Sequence, residues 1–145
     1  MPPSLGDFFS KEFKDDFLGK KVSPKCILLI KIPEFKEVSY PKYAIIVCVS
    51  DHSNSVVSVC INTDKPFTNN CITITKKEHA FLKYDSYVNC DFISEMNIKD
   101  LTVFLEKYPE NILGEITDFH YIQILERLQS SKVIPVKLKQ RFGLM

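Results

Sequence analysis

The sequence has few of the features that mark a membrane or secreted protein. None of the apolar runs in its 145 residues approaches the roughly 20 residues of a membrane helix. The longest runs, Cys26–Ile30 and Tyr43–Val49, have the length of a strand. A secretory signal is not expected, because Asp7, Lys11 and Glu12 interrupt any apolar stretch near the N-terminus. No membrane partner is therefore expected.

Closely spaced pairs of cysteines are also lacking, and arginines are few. The five cysteines form no C-x-x-C pair and have no accompanying histidine cluster. Most of them lie in apolar runs, where a free cysteine behaves as a small hydrophobe. These features predict reduced core thiols in a cytoplasmic protein, with neither a metal site nor a cofactor. Arg127 and Arg141 are the only arginines, and the net charge of +1 does not by itself indicate a nucleic-acid partner.

Length and composition indicate one folded domain over residues 1–145. Hydrophobic residues make up 45% and charged residues 26% of the chain, as in ordinary globular proteins. Residues 1–21 are predicted to form an amphipathic helix with an apolar stripe at helical spacing. The stripe consists of Leu5, Phe8, Phe9, Phe13 and Phe17. It fits packing against the core, and it also fits a helix that contacts a partner or covers a groove.

Residues 26–92 have the pattern of a small antiparallel barrel. Short runs rich in isoleucine and valine are separated by prolines and polar clusters. The runs are CILLIKI, YAIIVCVS, SVVSVCI and CITIT, followed by a strand through 87–92. Strands with such short connections predict a strongly bent antiparallel sheet or barrel.

Residues 97–130 are predicted to be helical, with Asn97 and Thr117 as N-caps. The buried face of the second helix is predicted to consist of Tyr121, Ile122, Leu125 and Leu128. The basic tail at 132–145 fits either an edge strand or a flexible arm. The fold class is therefore α+β, with a barrel followed by helices.

Four segments in this order resemble the PemK/MazF family of toxin endoribonucleases. They read PKYAIIV, SVVSVCINTD, LKYDSYVNCDFI and LGEITDFHYIQIL. The resemblance implies an SH3-like barrel decorated by helices, which acts as a homodimer and is silenced by an antitoxin protein. It also implies cleavage of single-stranded RNA without a metal, with the ribose 2′-hydroxyl as the nucleophile.

The same resemblance places candidate catalytic residues at two strand ends. Lys42 stands where the family has an arginine, and the family threonine falls on Asn62 or Thr63, depending on the register. Lysine gives a phosphate a point charge but lacks the planar fork of arginine. Lys42 therefore fits either a weakened catalytic site or an ordinary strand-edge lysine.

Neighbouring polar residues could complete the site. Asp64 could act as a base, orient Lys42 or cap a turn. His52, in the loop after the second run, could move protons or be uninvolved. For RNA binding we expect tyrosines that stack on bases and lysines that attract phosphates. The predicted binding residues are Tyr40, Tyr43, Lys65, Lys76 and Ser86, although the Ser86 hydroxyl also fits a structural role.

Three functions stay open at this stage: a toxin-like ribonuclease, a catalytically degenerate barrel that binds RNA or a protein, and an unrelated interaction module that binds through its phenylalanine stripe. The first two require the chain near residue 42 to lie beside the chain near residue 63.

Overall fold

The computed structural model describes residues 23–30, 42–50, 54–64 and 68–144. The predicted N-terminal helix over residues 1–21 lies outside these ranges. The described strands are β1 (Cys26–Ile30), β2 (Lys42–Ser50), β3 (Ser55–Asn62), β4 (Cys71–Ile74), β5 (Ser86–Asn89), β6 (Ser94–Asn97) and β7 (Ile112–Glu115). The described helices are α1 (Ile98–Lys107), α2 (Asp118–Ser130) and α3 (Val136–Arg141), with a 3-10 turn at Pro109–Asn111 between α1 and β7.

All described strand pairs are antiparallel, and they form one curled sheet in the order β4-β5-β3-β2-β1-β7. The strand β6 pairs with β3 beside this path. The predicted α+β class with a bent antiparallel sheet is confirmed. The strands β6 and β7 were not predicted from the sequence.

Apolar clusters cover both faces of the sheet. Along β2, Ile45 and Val47 point into the cluster that α2 covers, while Ala44 and Ile46 point into the cluster that α1 covers. Successive residues of a strand face opposite sides. A central strand that is buried on both sides therefore has the continuous apolar run seen in the sequence.

The first two helices begin at the predicted caps. The Asn97 side chain accepts hydrogen bonds from the backbone N–H groups of Lys99 and Asp100, and the Thr117 hydroxyl accepts one from His120. These caps satisfy N–H groups that have no partner inside the helix.

The predicted buried face of α2 is partly wrong. The buried residues of α2 are His120, Ile124 and Leu128, whereas Ile122 is 55% exposed. The prediction chose the face of the helix that carries the larger number of apolar side chains. A buried histidine, which the prediction counted as polar, instead sets which side of the helix faces the sheet.

The C-terminal tail is neither an edge strand nor a flexible arm. It contains α3, and Ile134, Phe142 and Leu144 are buried in the same cluster as Leu128. Lys139 is 4% exposed, and its ammonium group donates to the carbonyl oxygens of Gln129 and Ser131. Apolar packing and the hydrogen bonds of one cation therefore hold the tail against the end of α2.

The cysteines are free, as predicted, and Cys26, Cys60 and Cys90 are buried. None of the helices in the described ranges is both long and apolar enough to cross a membrane.

Candidate active site

The ends of β2 and β3 bring Lys42 and Asn62 together. The Lys42 ammonium group donates a hydrogen bond to Asn62 Oδ1 over 2.8 Å, and the pair is partly buried. The pairing of Ala44 with Cys60 fixes the register of the two strands. Two residues further on, the same register places Lys42 opposite Asn62, and residues directly opposite each other share a face of the sheet. The expected proximity of the two segments is therefore present.

Thr63 lies on the other side of the sheet from Lys42. It lines a cavity of about 260 Å³ together with Tyr43, Ile61, Leu82, Lys83, Tyr84 and Ser86. Tyr43 packs against the cluster that contains Ile45. Lys42 is adjacent to Tyr43 in the strand, so its side chain points to the opposite face of the sheet. The register therefore selects Asn62 as the partner of Lys42, and it puts Thr63 beside Tyr43 instead.

Two contacts shape this cavity. The ring of Tyr43 meets the edge of Phe81 at a centroid distance of 5.2 Å. The buried Ser86 hydroxyl donates to the Tyr84 carbonyl oxygen over 2.9 Å, which fixes the turn that enters β5. Tyr84 is itself 67% exposed. The cavity thus has an apolar floor, one exposed aromatic ring and the amine of Lys83 at its rim.

The other predicted residues are more peripheral. Asp64 is exposed just beyond the end of β3. Lys76 is exposed in the turn after β4, where its backbone N–H donates to Asp85 Oδ1 over 2.9 Å. Lys76 is not among the residues that line the cavity. The predicted residues His52, Tyr40 and Lys65 lie outside the described ranges.

Sequence reasoning missed Ile61, Leu82 and Lys83 as cavity residues. The signal was available, because Leu82, Lys83 and Tyr84 directly precede the Asp85-Ser86 step on which the resemblance rests. Elsewhere in the described ranges, no group of three or more His, Cys, Asp or Glu side chains could hold a metal ion.

The sequence matches no protein-family model and no curated protein. Its fold, however, matches solved structures. An endoribonuclease in complex with its cognate antitoxin, from a mycobacterial species, aligns with 78% of this chain and 96% of its own, at 16% identity and a TM-score of 0.51. The chain has the fold of this endoribonuclease.

Two further solved structures are similar to this chain. An endoribonuclease from a mycobacterial species aligns with 78% of the chain and 92% of its own, at 17% identity and a TM-score of 0.49. The Mycobacterium tuberculosis toxin MazF-mt6 aligns with 71% of the chain and 91% of its own, at 11% identity and a TM-score of 0.47. The fold assignment rests on the first of the three structures.

Proposed function

We propose that this MazF-like chain is the toxin endoribonuclease of a toxin-antitoxin system and cuts single-stranded RNA. The observation that carries the proposal is the 2.8 Å contact between Lys42 Nζ and Asn62 Oδ1, which lies where the two strand ends meet. A toxin endoribonuclease has the same fold. Lys42 stands at the position of the family arginine, and Asn62 stands at one of the two candidate positions for the family threonine.

The reaction places negative charge on a phosphorus centre, and preorganised donors stabilise such charge. In our proposal the Lys42 ammonium group binds a non-bridging phosphate oxygen. Asn62 holds Lys42 through its carbonyl oxygen, and an asparagine amide also carries two N–H donors that can reach a phosphate. A base takes the 2′ proton while the 2′ oxygen bonds to the adjacent phosphorus, and the bond from phosphorus to the 5′ oxygen breaks as that oxygen takes up a proton. In the proposal side chains serve both proton transfers and the phosphate charge, so the step uses no metal. Asp64 and His52 are the candidate proton acceptor and donor.

The cavity on the opposite face of the sheet is proposed to hold an unpaired base. Tyr84 offers an exposed ring for stacking, and Lys83 offers a charge to the adjoining phosphate. Stacking on an aromatic ring contributes about 1–3 kcal/mol per base. The proposed phosphate contact at Lys42 and the proposed base contact at Tyr84 lie on opposite faces of the sheet, so the bound RNA passes across the adjoining ends of β2 and β3.

Cleavage of a long single-stranded RNA tests the proposal. We expect cleavage by the wild type in the presence of EDTA, and no cleavage of a matched DNA, which lacks the 2′-hydroxyl. Lys42→Ala and Asn62→Ala should each lower the rate about 100-fold or more. Lys137→Ala, which removes an exposed lysine from α3, is the matched control and should cleave at the wild-type rate. No cleavage by the wild type would refute the enzymatic proposal.

A second candidate is a degenerate barrel that binds RNA or a protein without cutting. It is favoured by the single point charge at Lys42, because the family arginine would supply a planar fork. RNA binding without cleavage would support it. In either case we propose that the chain binds an antitoxin protein, as the mycobacterial endoribonuclease does, and that it is a cytoplasmic homodimer, as the family resemblance implies. Light scattering of the purified chain tests the dimer. A short acidic open reading frame beside the gene would support the antitoxin, and its co-expression with the chain would test binding.

A further inference from the structure

His79 is a buried imidazole between the turn after β4 and α2. Its side chain is 6% exposed, and its backbone N–H donates to the Thr75 carbonyl oxygen over 3.1 Å. The Nε2 atom is buried and has no hydrogen-bond partner in the described structure. A buried polar atom without a partner costs about 1–3 kcal/mol. Such an atom therefore calls for a physical explanation.

Two contacts between aromatic rings connect His79 to the cavity that is proposed to hold a base. The His79 ring lies 5.9 Å from the Phe81 ring, and the Phe81 ring lies 5.2 Å from the Tyr43 ring. Tyr43 and Leu82 both line the cavity. Phe81 thus contacts both His79 and Tyr43, which forms one wall of the cavity.

Two titratable groups face His79. On α2, the buried His120 ring lies 5.7 Å from the His79 ring. On its own turn, Glu78 lies with Oε2 3.7 Å from His120 Nε2, and its carboxylate accepts from the Thr75 hydroxyl over 2.8 Å. From β2, Tyr43 reaches His79 only through Phe81.

The environment of His79 favours its neutral form. Burial lowers the pKa of His79, and a charge on His120 lowers it further, while Glu78 opposes both effects. In the unfolded chain a histidine takes up a proton near pH 6.5. The unfolded or locally open state therefore binds the proton more readily than the folded state does. The folded packing around His79 is thus most stable above that pH, and it loses stability as the pH falls below it.

We propose that His79 is a positioning residue for the cavity that is proposed to hold a base. The neutral His79 ring holds Phe81 against Tyr43, and the protonated ring releases it. A charged His79 would face His120 inside an apolar wall, so the turn that carries Phe81 would move outward and the cavity would lose its Tyr43 wall. The inference rests on the proposed function insofar as the cavity binds a base. The ring movement itself does not depend on RNA.

Nuclear magnetic resonance of the full chain between pH 7.5 and pH 5.5 tests the ring movement. We expect the Phe81–Tyr43 ring contact to weaken with the same midpoint as the titration of His79 itself. In His79→Gln, which has no titrating group at this position, the contact should persist to pH 5.5. The matched control is Lys77→Gln, at an exposed position of the same turn, in which the response should be the same as in the wild type. His120→Gln should move the His79 midpoint to higher pH, because it removes the opposing charge.

Binding of an uncleavable 2′-deoxy oligonucleotide tests the consequence for the ligand. Wild-type affinity should fall by up to about tenfold per pH unit below pH 6.5, the limit for one linked proton, and the slope should vanish in His79→Gln. The proposal would be overturned if, in the wild type, the Phe81–Tyr43 contact weakened at a pH midpoint different from that of His79, and this test holds even if His79→Gln fails to fold. The proposal would also be overturned by equal pH slopes in wild type and His79→Gln. An oligonucleotide that does not bind at any pH would instead refute the base cavity, and the ring contact would still decide the role of His79.

Discussion

The ammonium group of Lys139 lies 2.5 Å from the carbonyl oxygen of Ser131 and 2.8 Å from that of Gln129. Carbonyl groups at the C-terminal end of a helix lack partners within the helix, and a nearby cation stabilises them. Lys139 therefore acts as a tertiary cap for α2, although it belongs to α3.

Lys139→Met tests this cap. Methionine fills a similar volume but cannot donate, so one buried and one partly buried carbonyl oxygen lose a charged donor. We expect the free energy of unfolding to fall by about 2–4 kcal/mol. Urea unfolding followed by circular dichroism measures the change. Lys137→Met, at an exposed position of the same helix, should change the free energy by less than about 0.5 kcal/mol. Equal stabilities of the two variants would refute the cap.

Asn70 should be a second stabilising residue. Its side-chain amide donates to the Cys90 carbonyl oxygen, to Asp91 Oδ1 and to the Arg127 carbonyl oxygen. It thereby links the start of β4 to the end of β5 and to α2. Asn70→Ala should lower the free energy of unfolding by about 2 kcal/mol, measured by urea titration. The neighbouring exposed Asn69 provides the control, and Asn69→Ala should be nearly neutral.

The N-cap of α1 gives a third prediction. Because Asn97 Oδ1 accepts from two backbone N–H groups, Asn97→Ala should destabilise the protein by about 1 kcal/mol, whereas Asn97→Ser should retain most of the stability. Thermal unfolding of both variants checks this order. A serine variant no more stable than the alanine variant would count against capping.

Thiol reactivity gives a fourth prediction. Burial raises the pKa of Cys90 from 9.0 to about 12, which lowers the thiolate population near neutral pH about 1000-fold. Cys90 should therefore resist iodoacetamide in the native protein and react in urea, as mass spectrometry of tryptic peptides can show. The half-exposed Cys71 should react first. Rapid native labelling of Cys90 would show that β5 opens readily.

The fifth prediction concerns the point charge at the proposed active site. Lys42→Arg supplies the planar donor fork that suits a phosphate. If the Lys42 and Asn62 pair is catalytic, this variant should cut RNA about tenfold faster than the wild type. Lys42→Gln, which is neutral, should be slower than both. An arginine variant slower than Lys42→Gln would place the chemistry elsewhere.

The structural elements that could be predicted were those with a strong local signal in the sequence. The apolar β-branched runs predicted β1 to β4, and the polar residues Asn97 and Thr117 predicted two helix starts. The strands β6 and β7 were missed because Ser94–Asn97 and Ile112–Glu115 are short and lack a β pattern. They are strands only because β3 and β1 supply partners, which is a tertiary effect.

The candidate site was partly predictable. The resemblance indicated that residue 42 would lie beside residue 62 or 63, and the structure has Lys42 against Asn62. The sequence could not assign the two faces of the strand, because a shift of one residue moves every side chain to the opposite side. Lys139 was assigned to a basic tail, since lysines are rarely buried without a partner. Its partners are carbonyl oxygens that only the folded α2 presents.

Among the described strands, β3 alone pairs with three others, namely β2, β5 and β6. The hairpin with β2 closes a short loop, so it costs little chain entropy to form. The pairing of β1 with β7 joins distant parts of the chain and costs more. Folding should accordingly start at the β2–β3 hairpin, which holds Lys42 and Asn62, so the residues of the proposed active site would meet before the rest of the sheet is assembled.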